Sequence, residues 1–177
     1  NYVVGATNIS FHPKWTPNNY TITYNKNGAS GLPTASTATY TTGGDAVTLT
    51  SVGTMAKTGF NFGGWSTTST GSAISGTYTT TADVILYAVW TIKSLTVTYS
   101  EGSATRANLS GFPANTSGNY GTTITLNATV SATTVIDSAQ HAFMGWSDGS
   151  SVYQGGSSYL LGETSPTFTA IWAKIFA

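Results

Sequence analysis

The sequence predicts a mostly β protein built from small repeated modules, with little helix. Three observations lead there. The polar residues are chiefly Thr, Ser, Asn and Gly, and β-branched Thr favours a pleated surface. Short runs alternate apolar and polar residues with a period of two, the spacing of a half-buried strand. Four motifs recur in one order, the mark of a repeat architecture.

The repeat shows first in Phe60-Asn-Phe-Gly-Gly-Trp65, which returns as His141-Ala-Phe-Met-Gly-Trp146, 81 residues later. Upstream, Tyr20-Thr-Ile-Thr-Tyr24 matches Leu95-Thr-Val-Thr-Tyr99, and Gly31-Leu-Pro33 matches Gly111-Phe-Pro113. Downstream, Val84-Ile-Leu-Tyr-Ala-Val-Trp90 matches Pro166-Thr-Phe-Thr-Ala-Ile-Trp172. The offsets run from 75 to 82, so small insertions separate the copies.

Each module reads as a series of short strands. Tyr20, Ile22 and Tyr24 share one face of the first strand, with Thr21 and Thr23 on the other; Leu95, Val97 and Tyr99 repeat the pattern. Val47 and Leu49 mark the next apolar face, as Ile124 and Leu126 do in the second copy. Phe60, Phe62 and Gly64 continue the period of two. The run 84–90 is more continuously apolar, which suits a strand covered on both sides. Asn27-Gly28, Gly43-Gly44 and Asp148-Gly149 punctuate the runs as turns. No window carries a long amphipathic helix; residues 50–57 are expected to hold at most one short helical turn.

A third, partial copy opens the chain. Tyr2, Gly5, Thr7, Phe11 and Trp15 fall in register with Tyr159, Gly162, Thr164, Phe168 and Trp172. The expected organisation is therefore 1–19 as the C-terminal half of a preceding repeat plus a junction, 20–90 as module A, 91–94 as a second junction, and 95–177 as module B. Asn1 in place of an initiator Met reads as the start of a mature or excised chain, and no signal peptide opens it. The tail carries Ile9, Phe11 and Trp15 without a module of its own. It is expected to dock on module A's edge or to add as a strand to a neighbouring molecule.

Composition narrows the function classes. Net charge is zero, the pI is about 6.9 and only 7% of residues are charged, so nothing steers the chain toward nucleic acid or an acidic membrane surface. There is no Cys, which excludes disulfides, thiolate metal sites and Cys nucleophiles. No apolar run approaches the roughly 18 residues of a membrane span, so no membrane insertion is expected.

The aromatic motifs admit two readings, a core plug or a ligand platform. Their recurrence beside an equally regular partner strand favours the core, because a small module needs large apolar anchors. Phe60, Phe62, Trp65 and Trp90 are the expected anchors of module A, and Phe143, Trp146 and Trp172 those of module B. Met144 stands where module A has Gly63, so the second glycine of the pair is the one expected to be needed, for a bulge or close packing. Catalysis finds no pattern: His12 and His141 are at non-equivalent positions, and Asp45, Asp83, Glu101, Asp137, Asp148 and Glu163 are scattered singly. No enzyme activity, cofactor or metal site is expected; two distant His are not a ligand set. A Lys–Asn cross-link lacks support, since Lys26 and Lys57 have no counterparts in module B, where Arg106 is the cation within the repeat.

The quoted motifs carry a family resemblance. The stretches 20–28, 58–65 and 86–90 resemble the Listeria–Bacteroides repeat, the internalin-type B repeat of bacterial surface proteins. Module B departs at Glu101-Gly102-Ser103, at Gln140-His141 and at Thr169. The resemblance implies small β-grasp-like, ubiquitin-like modules in tandem. It implies an extracellular protein, attached to the cell surface or wall, in which such modules form a stalk or spacer for adhesion. The partners would be neighbouring repeats. The alternative is a binding module that contacts a glycan or a host protein through exposed Thr, Asn and Tyr. Ice mimicry by Thr21/Thr23 and Thr96/Thr98 would need longer, flatter arrays than two irregular modules offer.

Overall fold

A computed structural model describes the chain except for residues 1–4, 6–9, 11, 105–108, 110, 129, 131–132, 137 and 177. The described residues are strands and loops, with no helix among them, and so none long and apolar enough to cross a membrane. Most of the tail motif, including Ile9 and Phe11, lies outside the described residues, while Trp15 is 84% exposed.

By contacts the chain divides into two compact units. The first takes residues up to Met55 with Gly64–Val89, the second Ala56–Gly63 with Trp90–Ala177. The repeat boundaries at 20–90, 91–94 and 95–177 mark sequence recurrence, which is a different division from this one.

The first repeat contributes β1 (Asn19–Asn25), β2 (Thr37–Thr41), β3 (Val47–Thr48), β4 (Phe60–Ser66), β5 (Thr77–Tyr78) and β6 (Val84–Ile92). Its main sheet runs β2-β1-β6-β4. β1 pairs antiparallel with β2 (Ile22 opposite Ala38) and parallel with β6 (Ile22 opposite Val84). Alternation decides which side is dry. Ile22, Tyr24, Leu86 and Ala88 turn inward with Met55 and Trp65 and are all buried, while Thr21 and Thr23 face out. β6 alternates too, although its sequence is continuously apolar. Leu86 and Ala88 are buried, but Ile85 is 48% exposed. The expectation of a strand covered on both faces is corrected in part: β6 has hydrogen-bonded neighbours on both edges, but only the Leu86–Ala88 face is fully buried, while on the other Ile85 is exposed and Tyr87 and Val89 are half-buried.

Residues 50–57 form turns, one closed by Met55 N–H to Val52 O at 3.1 Å, and no helical turn. Gly53 sits at φ +58, and a Cβ there would come within 2.6 Å of Leu32 O. The chain is bent sharply under the 31–34 loop, which a continuing helix could not follow.

The second repeat contributes β7 (Ser94–Ser100), β8 (Thr116–Asn119), β9 (Thr123–Thr125), β10 (Thr133–Ile136), β11 (Ala139–Ser147), β12 (Val152–Tyr153), β13 (Ser158–Leu160) and β14 (Thr167–Lys174). The order β10-β11-β14-β7-β8 repeats that of the first sheet and adds β10 at one edge. β14 runs parallel to β7, as β6 does to β1. The small pair β9–β13 (Ile124 opposite Tyr159) repeats β3–β5 (Val47 opposite Tyr78). The extra strand has a simple source. Leu126 to His141 spans 15 positions where Leu49 to Phe60 spans 11, and the added length supplies β10. The core of this unit gathers Leu95, Val97, Tyr99, Leu126, Val130, Trp146, Leu161, Phe168 and Ala170. Residues 56–63 join the same unit, in which Glu163 Oε1 accepts the Gly59 N–H at 3.1 Å and lies 3.8 Å from Lys93 Nζ.

Candidate functional site

The aromatic motif is built the same way twice. Trp65 is 1% exposed and its Nε1–H donates to Thr50 O at 2.7 Å; Trp146 is fully buried and donates to Asn127 O at 2.9 Å. A Tyr from the opening strand packs on each indole, with ring centroids 4.7 Å apart for Tyr24–Trp65 and 4.8 Å for Tyr99–Trp146. Burial of an indole needs a partner for its N–H, and a loop carbonyl provides it in each copy.

The other expected anchors lie further out. Phe62 meets Trp90 edge-on at 5.6 Å, and both are half-buried. Phe143 bridges Trp146 (5.1 Å) and Trp172 (5.5 Å), so the second copy links all three rings. Trp172 Nε1–H is held by Glu101 O at 2.8 Å. Phe60 is half-buried, with Lys57 Nζ 5.0 Å from its ring centroid.

The glycines explain the motif's spacing. The pairing of β11 with β14 shifts register between Phe143 and Gly145. Gly145 lies at φ +136 and Gly64 at φ +121, and a Cβ on Gly145 would come within 2.3 Å of Tyr153 O. The bulge turns the Trp inward, and only glycine fits at its centre. Met144, one residue before, is 47% exposed, so that position accepts a side chain.

Outside the core, hydroxyls line up on the wet faces. Thr21 stands opposite Thr39 and Thr23 opposite Thr37, all exposed. In the second sheet Thr96 stands opposite Ser117 and Thr98 opposite Thr167. Sequence reading placed Thr21/Thr23 and Thr96/Thr98 outward, but their cross-strand partners come from tertiary pairing.

Asp148 is the centre of a local network of hydrogen bonds. Asp148 accepts the N–H groups of Ser151 (2.8 Å) and Ser150 (2.9 Å) and the hydroxyl of Tyr153 (3.0 Å). The Ser151 amide, followed by that of Ser150, holds its carboxyl below the usual carboxylate range. Donating to that carboxylate raises the Tyr153 hydroxyl above its ordinary value. The network braces the hairpin between β11 and β12. His12 is exposed, and His141 Nδ1 lies 3.0 Å from Ala139 O. Among the described residues no three His, Asp or Glu side chains gather as a metal site.

Each repeat also carries a cleft beside the end of its opening strand. The first, of about 300 Å³, is lined by Tyr24, Asn25, Lys26, Leu32, Pro33 and Ser36. The second, of about 260 Å³, is lined by Tyr99, Pro113, Ala114, Thr116, Thr125 and Asn127. Tyr24 and Tyr99 are equivalent in the repeat, as are Pro33 and Pro113. The sequence reading missed these clefts. The recurring Gly-x-Pro motif was the available signal.

No curated protein and no solved structure gave a match to the chain. The strand order, the Tyr–Trp core and the glycine of the first copy stand on the motifs that suggested a family at the outset, and residues 20–89 match the model of that family, the Listeria–Bacteroides repeat domain.

Proposed function

We propose that the chain is a non-catalytic spacer segment of a bacterial surface protein, in which tandem modules carry a distal adhesive part away from the cell. The repeat family is typical of bacterial surface proteins, which supports an extracellular location; attachment to the wall or surface belongs to the proposal. The observation that carries the reading is the doubled core. Tyr24–Trp65–Thr50 and Tyr99–Trp146–Asn127 are the same construction, while surface residues drift between copies. Repetition of the interior with a free exterior is what a spacer requires. The module is best read as β-grasp-like. A parallel central pair, β1–β6 or β14–β7, is flanked by antiparallel neighbours, and in the first repeat loops stand where ubiquitin-like folds place a helix.

The junctions fit the same role. Four residues separate Trp15 from Tyr20 and Trp90 from Leu95, and four residues span at most about 13–14 Å. Pro17 fixes φ in the first junction. Neighbouring repeats of the same chain are the proposed partners. Small-angle X-ray scattering of residues 1–177 tests the reading: a long, narrow particle is expected, and a compact globule would overturn it. The second reading, a module that binds a glycan or a host protein, is favoured by the paired clefts.

A further inference from the structure

We propose that the two equivalent clefts each hold one neutral pyranose residue of a glycan, so that each repeat is also a weak sugar-binding unit. The inference deepens the binding reading and does not depend on the spacer reading.

Recurrence is the first argument. Insertions shift the repeat by 75 to 82 positions, yet Tyr24 and Tyr99, Pro33 and Pro113, and the hydroxyls of Ser36 and Thr116 line both clefts. The second argument is charge. Among the described lining residues Lys26 is the only Lys, Arg, His, Asp or Glu, and its Nζ lies 3.5 Å from Gly31 O. An ionic ligand would meet no matching charge among the described residues of the second cleft. Amides and hydroxyls are what remain: Asn25 and Ser36 in the first, Thr116, Thr125 and Asn127 in the second. These groups both donate and accept, as a ring of sugar hydroxyls requires. Exposed Leu32 and half-buried Pro33 offer apolar surface to the C–H face of such a ring in the first cleft, and exposed Ala114 does so in the second.

The third argument separates sugar from peptide. An added strand needs open backbone donors. Here Tyr24 N–H already donates to Ser36 O at 2.9 Å, and Tyr99 N–H to Asn115 Oδ1 at 3.2 Å. A polyproline segment needs open aromatic faces. Tyr24 and Tyr99 are each 7% exposed and pack on Trp65 and Trp146. Side-chain polar groups around a small fixed hollow are left, at the low end of ligand-site volumes, which suits one sugar ring.

The test is a nitrogen–proton correlation titration of the 177-residue chain with N-acetylglucosamine trimer and, separately, maltotriose. Millimolar sugar is expected to shift the amides of Tyr24, Lys26 and Ser36, and independently those of Tyr99, Ala114 and Thr116. Ser36→Phe should remove the first set and leave the second; Thr116→Phe should do the reverse. Both positions are exposed, and an otherwise unchanged spectrum reports that the fold is intact. If neither trisaccharide moves either set, or if the shifts persist in the filled variants, the proposal fails. A proline-rich peptide that moves these amides where the sugars do not would also overturn it. Scattering on the same samples reads the spacer proposal separately.

Discussion

At the scale of single residues, Trp65 and Asn27 bear the most on the first repeat. Trp65 fills the core between Tyr24 and the Thr50 carbonyl. Trp65→Ala is expected to cost about 3–5 kcal/mol in urea unfolding, through lost burial and the cavity left behind. Trp65 emission typical of full water exposure would contradict the burial on which that figure rests. Asn27 is a quieter residue with a stronger geometric demand. It lies at φ +50 before Gly28, and its Nδ2 donates to both Ser69 O (2.7 Å) and Ala88 O (2.9 Å). Asn tolerates the left-handed backbone better than most residues. Asn27→Asp keeps the shape but turns a double donor into a carboxylate facing two carbonyls. A loss of about 1–3 kcal/mol is expected at neutral pH. Unchanged thermal unfolding of that variant would mean the amide bridge contributes nothing.

At the scale of elements, the hairpin between β11 and β12 carries a built-in acid sensitivity. Asp148 is held below its ordinary pKa mainly by the amide of Ser151, then by that of Ser150. Its folded pKa lies under its unfolded one. The stabilisation is therefore complete above the ordinary carboxylate range and is lost as pH falls through the folded value. Acidification should release the Ser150 and Ser151 amides, seen as faster hydrogen exchange there relative to β7. Asp148→Asn should flatten that pH dependence. The raised Tyr153 hydroxyl works at the other end, since its donated hydrogen bond is lost only above the ordinary phenol range. Elsewhere the elements show why identical motifs differ in detail. Extra residues ahead of His141 supply β10, and the same strand motif in the first repeat has no such neighbour in its sheet order.

At the scale of the whole molecule, stability rests on burial rather than charge. Six cations and six anions are spread over 177 residues, and the Lys93–Glu163 pair is partly exposed at 3.8 Å. Exposed pairs of this kind contribute little and are screened by salt. The melting midpoint in calorimetry is accordingly expected to stay nearly constant from low to molar sodium chloride. A steep fall with salt would show that ion pairs matter more than the aromatic cores.

The sequence by itself determined the repeat, its order and the strand faces. Period-two alternation and matched motifs are local properties, and Tyr20-Thr-Ile-Thr-Tyr24 states its inward and outward faces without help. It determined the need for glycine at 145 and not at 144, because a bulge shows as a glycine that survives where its neighbour changes. The tertiary structure decided what local pattern cannot hold. The apolar run 84–90 could have been covered on both sides, and only the sheet's packing exposes Ile85. The 50–57 stretch could have turned as a helix, and only the close approach of Gly53 to the 31–34 loop bends it otherwise. The clefts beside Tyr24 and Tyr99 join residues distant in sequence, such as Tyr99 and Asn127. Alternation is legible because it concerns neighbours along the chain, whereas a concave site is made by segments that meet only after folding.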